Sequence, residues 1–202
     1  MSTALAAVEL APEDAGRINL YALLARLLYA GPDETLLQAL SAAPDLESGQ
    51  GPLAQAWRAL RAEAARTDAQ AATVAFDTTF VGVGKAPVTL YLSHYMVAVG
   101  QERILVALRD TLRELGLARG SQSAEPEDNI AAVLEVMRHL VAQGSDTRSL
   151  HTQEAFFREY LQPGYRGFCS AARELPAAPF HVAVVDLLEV FIDAEAEQFE
   201  MH

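Results

Sequence analysis

The amino-acid sequence predicts an all-α fold, a single globular helical domain of roughly eight to ten helices that spans residues 1–202 and contains an internal hinge. Apolar residues recur at helical spacing through almost the whole chain, and the alternation that indicates β-strands is nearly absent. Prolines and glycines divide these runs into segments of helical length. The single cysteine, Cys169, cannot form an intramolecular disulfide, so an apolar core has to stabilise the domain.

The N-terminal half contains four predicted helical segments. The first covers 12–29 and stops at a Gly-Pro pair, and a short second helix follows around 36–40. After a loop, Pro52 provides the first residue of the third helix, because proline suits that position. A break near 67–68 separates it from a fourth run through 74–81, which ends at glycines.

The middle of the chain is predicted to hold a long helix at 90–117, with Tyr91 and Tyr95 on its apolar stripe. The glycine and serines of 119–124 offer few apolar side chains for packing, so we place the hinge there. The next helix is predicted at 126–140.

The C-terminal part is divided by prolines. A short helix at 156–161 is expected to stop at Pro163-Gly164, and a last helix is expected from Pro179 to about residue 199. Acidic residues near its end predict a solvated face. They are Asp193, Glu195, Glu197 and Glu200.

The composition excludes several classes of partner. A formal net charge of −12 repels phosphate backbones and anionic lipids, so we predict no nucleic-acid binding. The longest run without Asp, Glu, Lys or Arg, 86–101, is shorter than the ~20 residues of a spanning helix, which predicts no stable membrane insertion. Residues 1–11 lack the basic start of a secretory signal, so we expect a cytoplasmic protein.

Motifs that bind metals or nucleotides are missing from the sequence. No acidic residue stands three positions before a histidine, which excludes the Glu-x-x-His pairs of di-iron bundles. There is no His-Glu-x-x-His motif and no phosphate-binding loop, and Gly82-Val83-Gly84 lacks the third glycine of a dinucleotide-binding turn. The sequence therefore predicts no metal and no cofactor.

Three residues that often take part in catalysis have surroundings that favour structural roles. Cys169 lies among small and apolar residues, which is typical of a core thiol. His139 and His181 are expected at the surface or at helix ends. We therefore predict no catalytic residue and no enzyme activity.

The block 76–95 combines aromatic residues with a turn that glycine and proline interrupt. One interpretation is a helix end anchored in the core by its aromatic side chains. The other is an apolar groove with an aromatic floor and a loop as its rim. The candidate binding residues are Phe76, Phe80, Val81, Gly82, Pro87, Tyr91 and Tyr95.

The pentapeptide Glu125-Pro126-Glu127-Asp128-Asn129 also has two interpretations. Proline and carboxylates in a first helical turn favour helix initiation. Three carboxylates beside a hinge also offer bidentate sites for guanidinium groups. On the second interpretation all five residues are candidate binding residues.

Four segments, in order along nearly the whole chain, carry a family resemblance. They are Arg17-Ile18-Asn19-Leu20-Tyr21 with the leucine-rich turn after it, the block 76–95, the acidic pentapeptide, and Phe156-Phe157-Arg158-Glu159-Tyr160-Leu161-Gln162-Pro163. Together they resemble the TorD/DmsD/NarJ family of redox-enzyme maturation chaperones. The family's acidic signature usually has His where this chain has Asn129.

The resemblance implies a cytoplasmic, non-catalytic chaperone, present as a monomer or a domain-swapped dimer. Its partners would be the twin-arginine signal peptide and the apo form of a molybdenum-cofactor oxidoreductase, held until cofactor insertion and folding are complete. The residues agree with this implication, since a peptide that combines arginines with an apolar stretch needs carboxylates beside an apolar groove.

Two other classes of function are alternatives to a chaperone. In a helical nucleotide-binding regulator or enzyme, the acidic cluster would bind magnesium and Lys85 a phosphate, but no phosphate-binding loop accompanies them. A permanently assembled structural subunit would expose a large apolar patch and precipitate when expressed alone.

Overall fold

Helices make up most of a computed structural model of the protein, which describes residues 11–46, 49–82, 86–117, 126–174 and 178–201. Its elements in chain order are α1 (Pro12–Tyr29), α2 (Glu34–Ala42), α3 (Pro52–Ala64), α4 (Ala69–Phe76), a first π-helical segment (Asp77–Val81), α5 (Ser93–Met96), α6 (Gln101–Glu114), α7 (Ile130–Ala142), α8 (Thr147–Phe156), a second π-helical segment (Phe157–Leu161), α9 (Gln162–Glu174) and α10 (Pro179–Glu200). The predicted all-α fold is confirmed. The hinge predicted at 119–124 lies outside the described residues. None of the described helices has the length and apolarity needed to cross a membrane.

Short acidic side chains fix where several helices begin. Asp33, Asp68 and Asp146 each accept a 2.8 Å hydrogen bond from a backbone N–H in the first turn of α2, α4 and α8. These bonds satisfy donors that a helix start leaves unpaired. Pro52 and Pro179 stand in the first turn of α3 and α10, as predicted.

The core is organised around α1, α7 and α10. Helix α1 packs along α7, while α10 packs against α3 and α9. Tyr21 and Leu24 of α1 are fully buried, and the Tyr21 ring meets Phe191 of α10 edge-on at 4.7 Å between centroids. The N-terminal and C-terminal helices therefore share one apolar interior.

The helix predicted at 90–117 is wrong in its first part. Helix α5 ends at Met96, and α6 begins only after a break that includes Gly100. Gly100 has φ of 92°, in the left-handed region that glycine adopts at little cost, so the chain changes direction there. Tyr91 precedes α5 and lies in a loop. It is therefore not part of the apolar helical stripe that the sequence predicts.

Pro163 does not end a helix, contrary to the prediction. Helix α8, the second π-helical segment and α9 follow one another without a break from Thr147 to Glu174. Proline lacks the N–H of a helical hydrogen bond, and its ring crowds the preceding turn. The π-helical turn directly before α9 is the kind of local adjustment that accommodates such a residue.

Glu195 is buried, so the predicted solvated face of the last helix is wrong at this position. Its carboxylate accepts hydrogen bonds from Nε and Nη2 of Arg17, at 2.7 and 2.8 Å, and from the Tyr21 hydroxyl at 2.7 Å. Arg17 also donates to Asp14 and to Gln153, at 3.0 and 3.2 Å. A buried ion network therefore joins α1, α8 and α10.

Candidate functional site

A groove of about 790 Å³ lies where the end of α1, the first π-helical segment, the chain from 86 to 95 and α9 meet. Its wall is mainly apolar and aromatic, with a few polar groups, which is typical of ligand sites. The lining residues are Tyr29, Phe76, Phe80, Val81, Ala86, Pro87, Thr89, Leu90, Tyr91, Ser93, His94, Tyr95, Asn129 and Ala171.

The structure brings most of the predicted aromatic block to this groove. Gly82 ends the first π-helical segment with φ of 66°, a backbone conformation that favours glycine, and is absent from the lining. Pro126 and the two acidic residues after it belong to the adjoining turn, and Glu125 lies outside the described residues. The candidates that line the groove are Phe76, Phe80, Val81, Pro87, Tyr91, Tyr95 and Asn129.

The floor of the groove belongs to the core. Phe76 and Phe80 are 2% and 5% exposed, and their ring centroids are 5.2 Å apart. Val81 and Tyr29, at 57% and 70% exposed, form an accessible apolar rim. The two phenylalanines therefore anchor the core, as the first interpretation predicts. The second interpretation, an apolar groove that binds a ligand, stays a prediction.

His181 lies behind the floor, in the first turn of α10. The helix end is as predicted, but the surface position is wrong, because the side chain is buried. The residue is 2% exposed, and its ring centroid is 5.9 and 6.0 Å from those of Phe76 and Phe80. Neither ring nitrogen has a hydrogen-bond partner within the described ranges. Burial lowers the pKa of His181 to about 4, so this ring is neutral near pH 7.

Cys169 is confirmed as a core thiol. It is fully buried on α9, and burial, the largest cause, raises its pKa to about 12. A thiol with a raised pKa carries little thiolate near neutral pH, so it makes a poor nucleophile.

Residues 126–129, which we call the acidic turn, are joined to the groove wall by backbone hydrogen bonds. The N–H of Leu92 donates to the Asp128 carbonyl at 2.9 Å, and the N–H of Ile130 donates to the Leu90 carbonyl at 2.8 Å. Asp128 is 3% exposed, and its side chain accepts a further hydrogen bond from the Ser93 N–H at 3.3 Å. Asp128 therefore positions the groove wall, and its carboxylate is largely covered.

The start of α7 differs from the prediction in detail. The helix begins at Ile130, and Asn129 is its N-cap, accepting a 3.0 Å hydrogen bond from the Ala131 N–H. Pro126 precedes the helix by a full turn and is not its first residue. Asn129 therefore caps α7 and also lines the groove.

Glu127 makes an ion pair with Arg109 of α6, with 2.9 Å between Oε2 and Nη2. The Glu127 side chain is 10% exposed and that of Arg109 is 47% exposed. A guanidinium group thus already covers one carboxylate of the acidic turn.

Two glycines of α9 set how closely this helix approaches α5. A Cβ placed on Gly164 would lie 3.0 Å from the Leu92 carbonyl oxygen, and one on Gly167 would lie 2.9 Å from the Tyr95 Cβ. Ala171, one turn further along α9, lines the groove. Small residues at this helical spacing are the sequence signal for the wall that α9 contributes to the groove.

Three other lining residues were not predicted, for two physical reasons. Ser93 and His94 fell inside the wrongly predicted long helix, whose stripe does not select them. In the sequence Tyr29 is the last residue of a predicted helix, and only the tertiary fold places it in the lining of the groove.

We expect Gly167→Ala to lower the free energy of unfolding by about 1–3 kcal/mol, because the added methyl group would overlap Tyr95. Gly16→Ala is the matched control. Gly16 lies in α1 with no atom within 4 Å of a new Cβ, so alanine there should stabilise the protein by up to about 1 kcal/mol. Urea unfolding followed by circular dichroism measures both, and an equal gain from the two changes would contradict the close approach.

Among the described residues, no three His, Cys, Asp or Glu side chains are grouped so that they could hold a metal ion.

The chain matches the model of a known protein family. The family model for the nitrate reductase delta subunit matches residues 46–170, which is more than half of the chain. The match covers the groove residues of the block 76–95 and the acidic turn. No curated protein matches the chain. The chain therefore belongs to the nitrate reductase delta subunit family, the NarJ/TorD-type family of molybdoenzyme maturation chaperones.

Proposed function

We propose that the protein binds the twin-arginine signal peptide of a molybdenum-cofactor oxidoreductase precursor and holds the precursor until cofactor insertion and folding are complete. The observation that carries this proposal is the hydrogen-bonded junction between an apolar groove and an acidic turn. A signal peptide of this kind presents arginines next to an apolar segment, so one ligand would satisfy both parts of the site.

The apolar part of the peptide would lie along the accessible rim. Tyr29, Val81 and Tyr91 line the groove with at least partly exposed side chains. Covering them removes apolar surface from water, which favours binding by about 25 cal/mol per Å² before the cost of ordering the peptide.

The arginines would approach the acidic turn. Glu127 is the described carboxylate of this turn that already pairs with a guanidinium group, and we include Glu125 with it in the proposed site. Asp128 would contribute by fixing the turn against the groove wall through Ser93 and Leu92. Planar guanidinium groups suit carboxylates better than ammonium groups do, so we expect arginine to be preferred to lysine.

The site of action that we propose is the cytoplasm, because the uncleaved signal of a precursor exists there before export. We propose one domain with a hinge at 119–124, acting as a monomer or a domain-swapped dimer and catalysing no reaction. The net charge of −12 favours a basic peptide over anionic partners.

Calorimetry with a peptide that carries two arginines before an apolar stretch tests the proposal. We expect Tyr29→Ala and Val81→Ala to weaken binding, up to about tenfold for Tyr29, at every salt concentration, since apolar contacts are little affected by screening. Val106→Ala is the control, because Val106 is equally exposed but belongs to α6 and does not line the groove.

The charge part of the site predicts a different salt dependence. Glu127→Gln should weaken binding mainly at low salt and reduce the preference for the arginine peptide over its double-lysine variant. If neither the groove variants nor Glu127→Gln changes the affinity, while circular dichroism shows an intact fold, the proposed site is wrong.

A further inference from the structure

Arg109 is placed where an arginine of a ligand would be expected. It extends from α6 to Glu127, and the 2.9 Å contact joins a half-exposed guanidinium group to a carboxylate that is nearly covered. The ion pair of Arg113 with Asp110, also on α6, is local, since the two residues are three positions apart. The Arg109 pair instead spans two segments of the fold and ends on the turn beside the groove.

The electrostatic surroundings of Arg109 support the same point. Glu127 first, and Asp128 more weakly, raise its pKa, so both described carboxylates of the turn act on this guanidinium group. Asp128 Oδ1 is buried and has no hydrogen-bond partner among the described residues. Because Asp128 is covered, Glu127 is the carboxylate of the described turn whose guanidinium partner reaches the surface.

We propose that Arg109 is an internal surrogate for the peptide's arginine, which occupies Glu127 in the free chaperone and is displaced when the signal peptide binds. This inference rests on the proposed function and adds a specificity-determining residue to it. Displacement replaces one guanidinium–carboxylate pair by another, so the total pairing is conserved. The released Arg109 side chain returns to water, where it already is in part.

Competition of this kind has a consequence for selectivity. A ligand that lacks a guanidinium group would have to break the internal pair without replacing it in the same geometry. A lone arginine without an apolar segment would gain no groove contact to favour the exchange. Arg109 therefore restricts the site to ligands that bring both features at once.

The test is calorimetry of Arg109→Gln with the double-arginine peptide. We expect the variant to bind about two- to fivefold more tightly than wild type at low ionic strength, because removal of an exposed competing pair is worth a factor of this size. The gain should shrink at 1 M salt, where the Debye length is about 3 Å. Arg113→Gln is the matched control, since it removes an exposed arginine from the same helix without touching the turn, and it should leave the affinity unchanged.

A double-mutant cycle assigns the effect to Glu127. In a Glu127→Gln background, Arg109→Gln should no longer tighten binding, because the shared carboxylate is gone. Arg109→Lys, which keeps the charge but loses the planar fork, should give a smaller gain than Arg109→Gln and serves if the glutamine variant folds poorly.

Two failures can be told apart. If wild type binds the peptide but Arg109→Gln binds it equally or more weakly, Arg109 is a support of the turn and the surrogate role is wrong, while the proposed function stands. If wild type binds no peptide at all, the proposed function fails and this inference fails with it.

Discussion

Replacement of Arg17 by methionine is expected to lower the free energy of unfolding by about 3–5 kcal/mol, since it leaves a buried carboxylate without its counter-charge. Arg17 and Glu195 are 8% and 3% exposed at their side chains and are joined by two hydrogen bonds. Methionine keeps much of the side-chain volume, so the loss would report the missing charge rather than a cavity. Urea unfolding followed by circular dichroism provides the measurement.

The comparison variants for this prediction are Arg166→Met and the double variant Arg17→Met with Glu195→Met. Arg166 pairs with Asp193, but its side chain is 71% exposed, so its loss should cost no more than about 1 kcal/mol. The double variant should be more stable than Arg17→Met alone, because it removes the orphaned charge. An Arg17→Met protein as stable as Arg166→Met would show that the buried network contributes little.

The helical fold was predictable because its signals are local. Apolar spacing, proline at the helix starts and short polar caps all act within one or two turns, and α1, α3 and α10 were predicted close to their observed bounds. Gly100 shows the limit, because the apolar stripe continues on both sides of it while its left-handed backbone turns the chain. A pattern of side chains does not record such a backbone conformation.

The part of the candidate site that comes from one continuous block of sequence was predictable. The aromatic residues of 76–95 share a groove, whereas Tyr29 and Ala171 reach it from distant helices. The pairing of Arg109 with Glu127 was equally hidden, as was the burial of Glu195, because each depends on helices brought together by the core. Charges in a sequence look alike whether they are solvated or buried, and only the fold separates the two cases.

Burial of His181 makes the free energy of unfolding depend on pH. The direction is opposite to that for a histidine in a salt bridge, because burial lowers the pKa of His181. Its pKa is lowered from 6.5 to about 4 in the folded protein by burial. Below pH 6.5 the unfolded chain therefore binds a proton that the folded chain does not bind until about pH 4. The folded state should lose stability through this window, by up to about 3 kcal/mol at its acid end.

His181→Leu should remove this loss and also stabilise the protein near neutral pH. The wild-type ring buries two nitrogens without hydrogen-bond partners in the described part of the chain, and such groups cost about 1–3 kcal/mol each when left unpaired. Leucine has a similar bulk and suits the apolar contact with Phe76 and Phe80. We therefore expect a higher free energy of unfolding at pH 7.5, and a gap between variant and wild type that widens as the pH is lowered to 5. His139→Leu is the matched control, because it makes the same replacement at a histidine that is exposed on α7 and not buried in the core. The contrary result would be that the free energy of unfolding of wild type and of His181→Leu changes in parallel from pH 7.5 to 5. The buried imidazole would then bind a proton in the folded state as readily as in the unfolded chain, and the groove floor would be more open to solvent than its packing indicates.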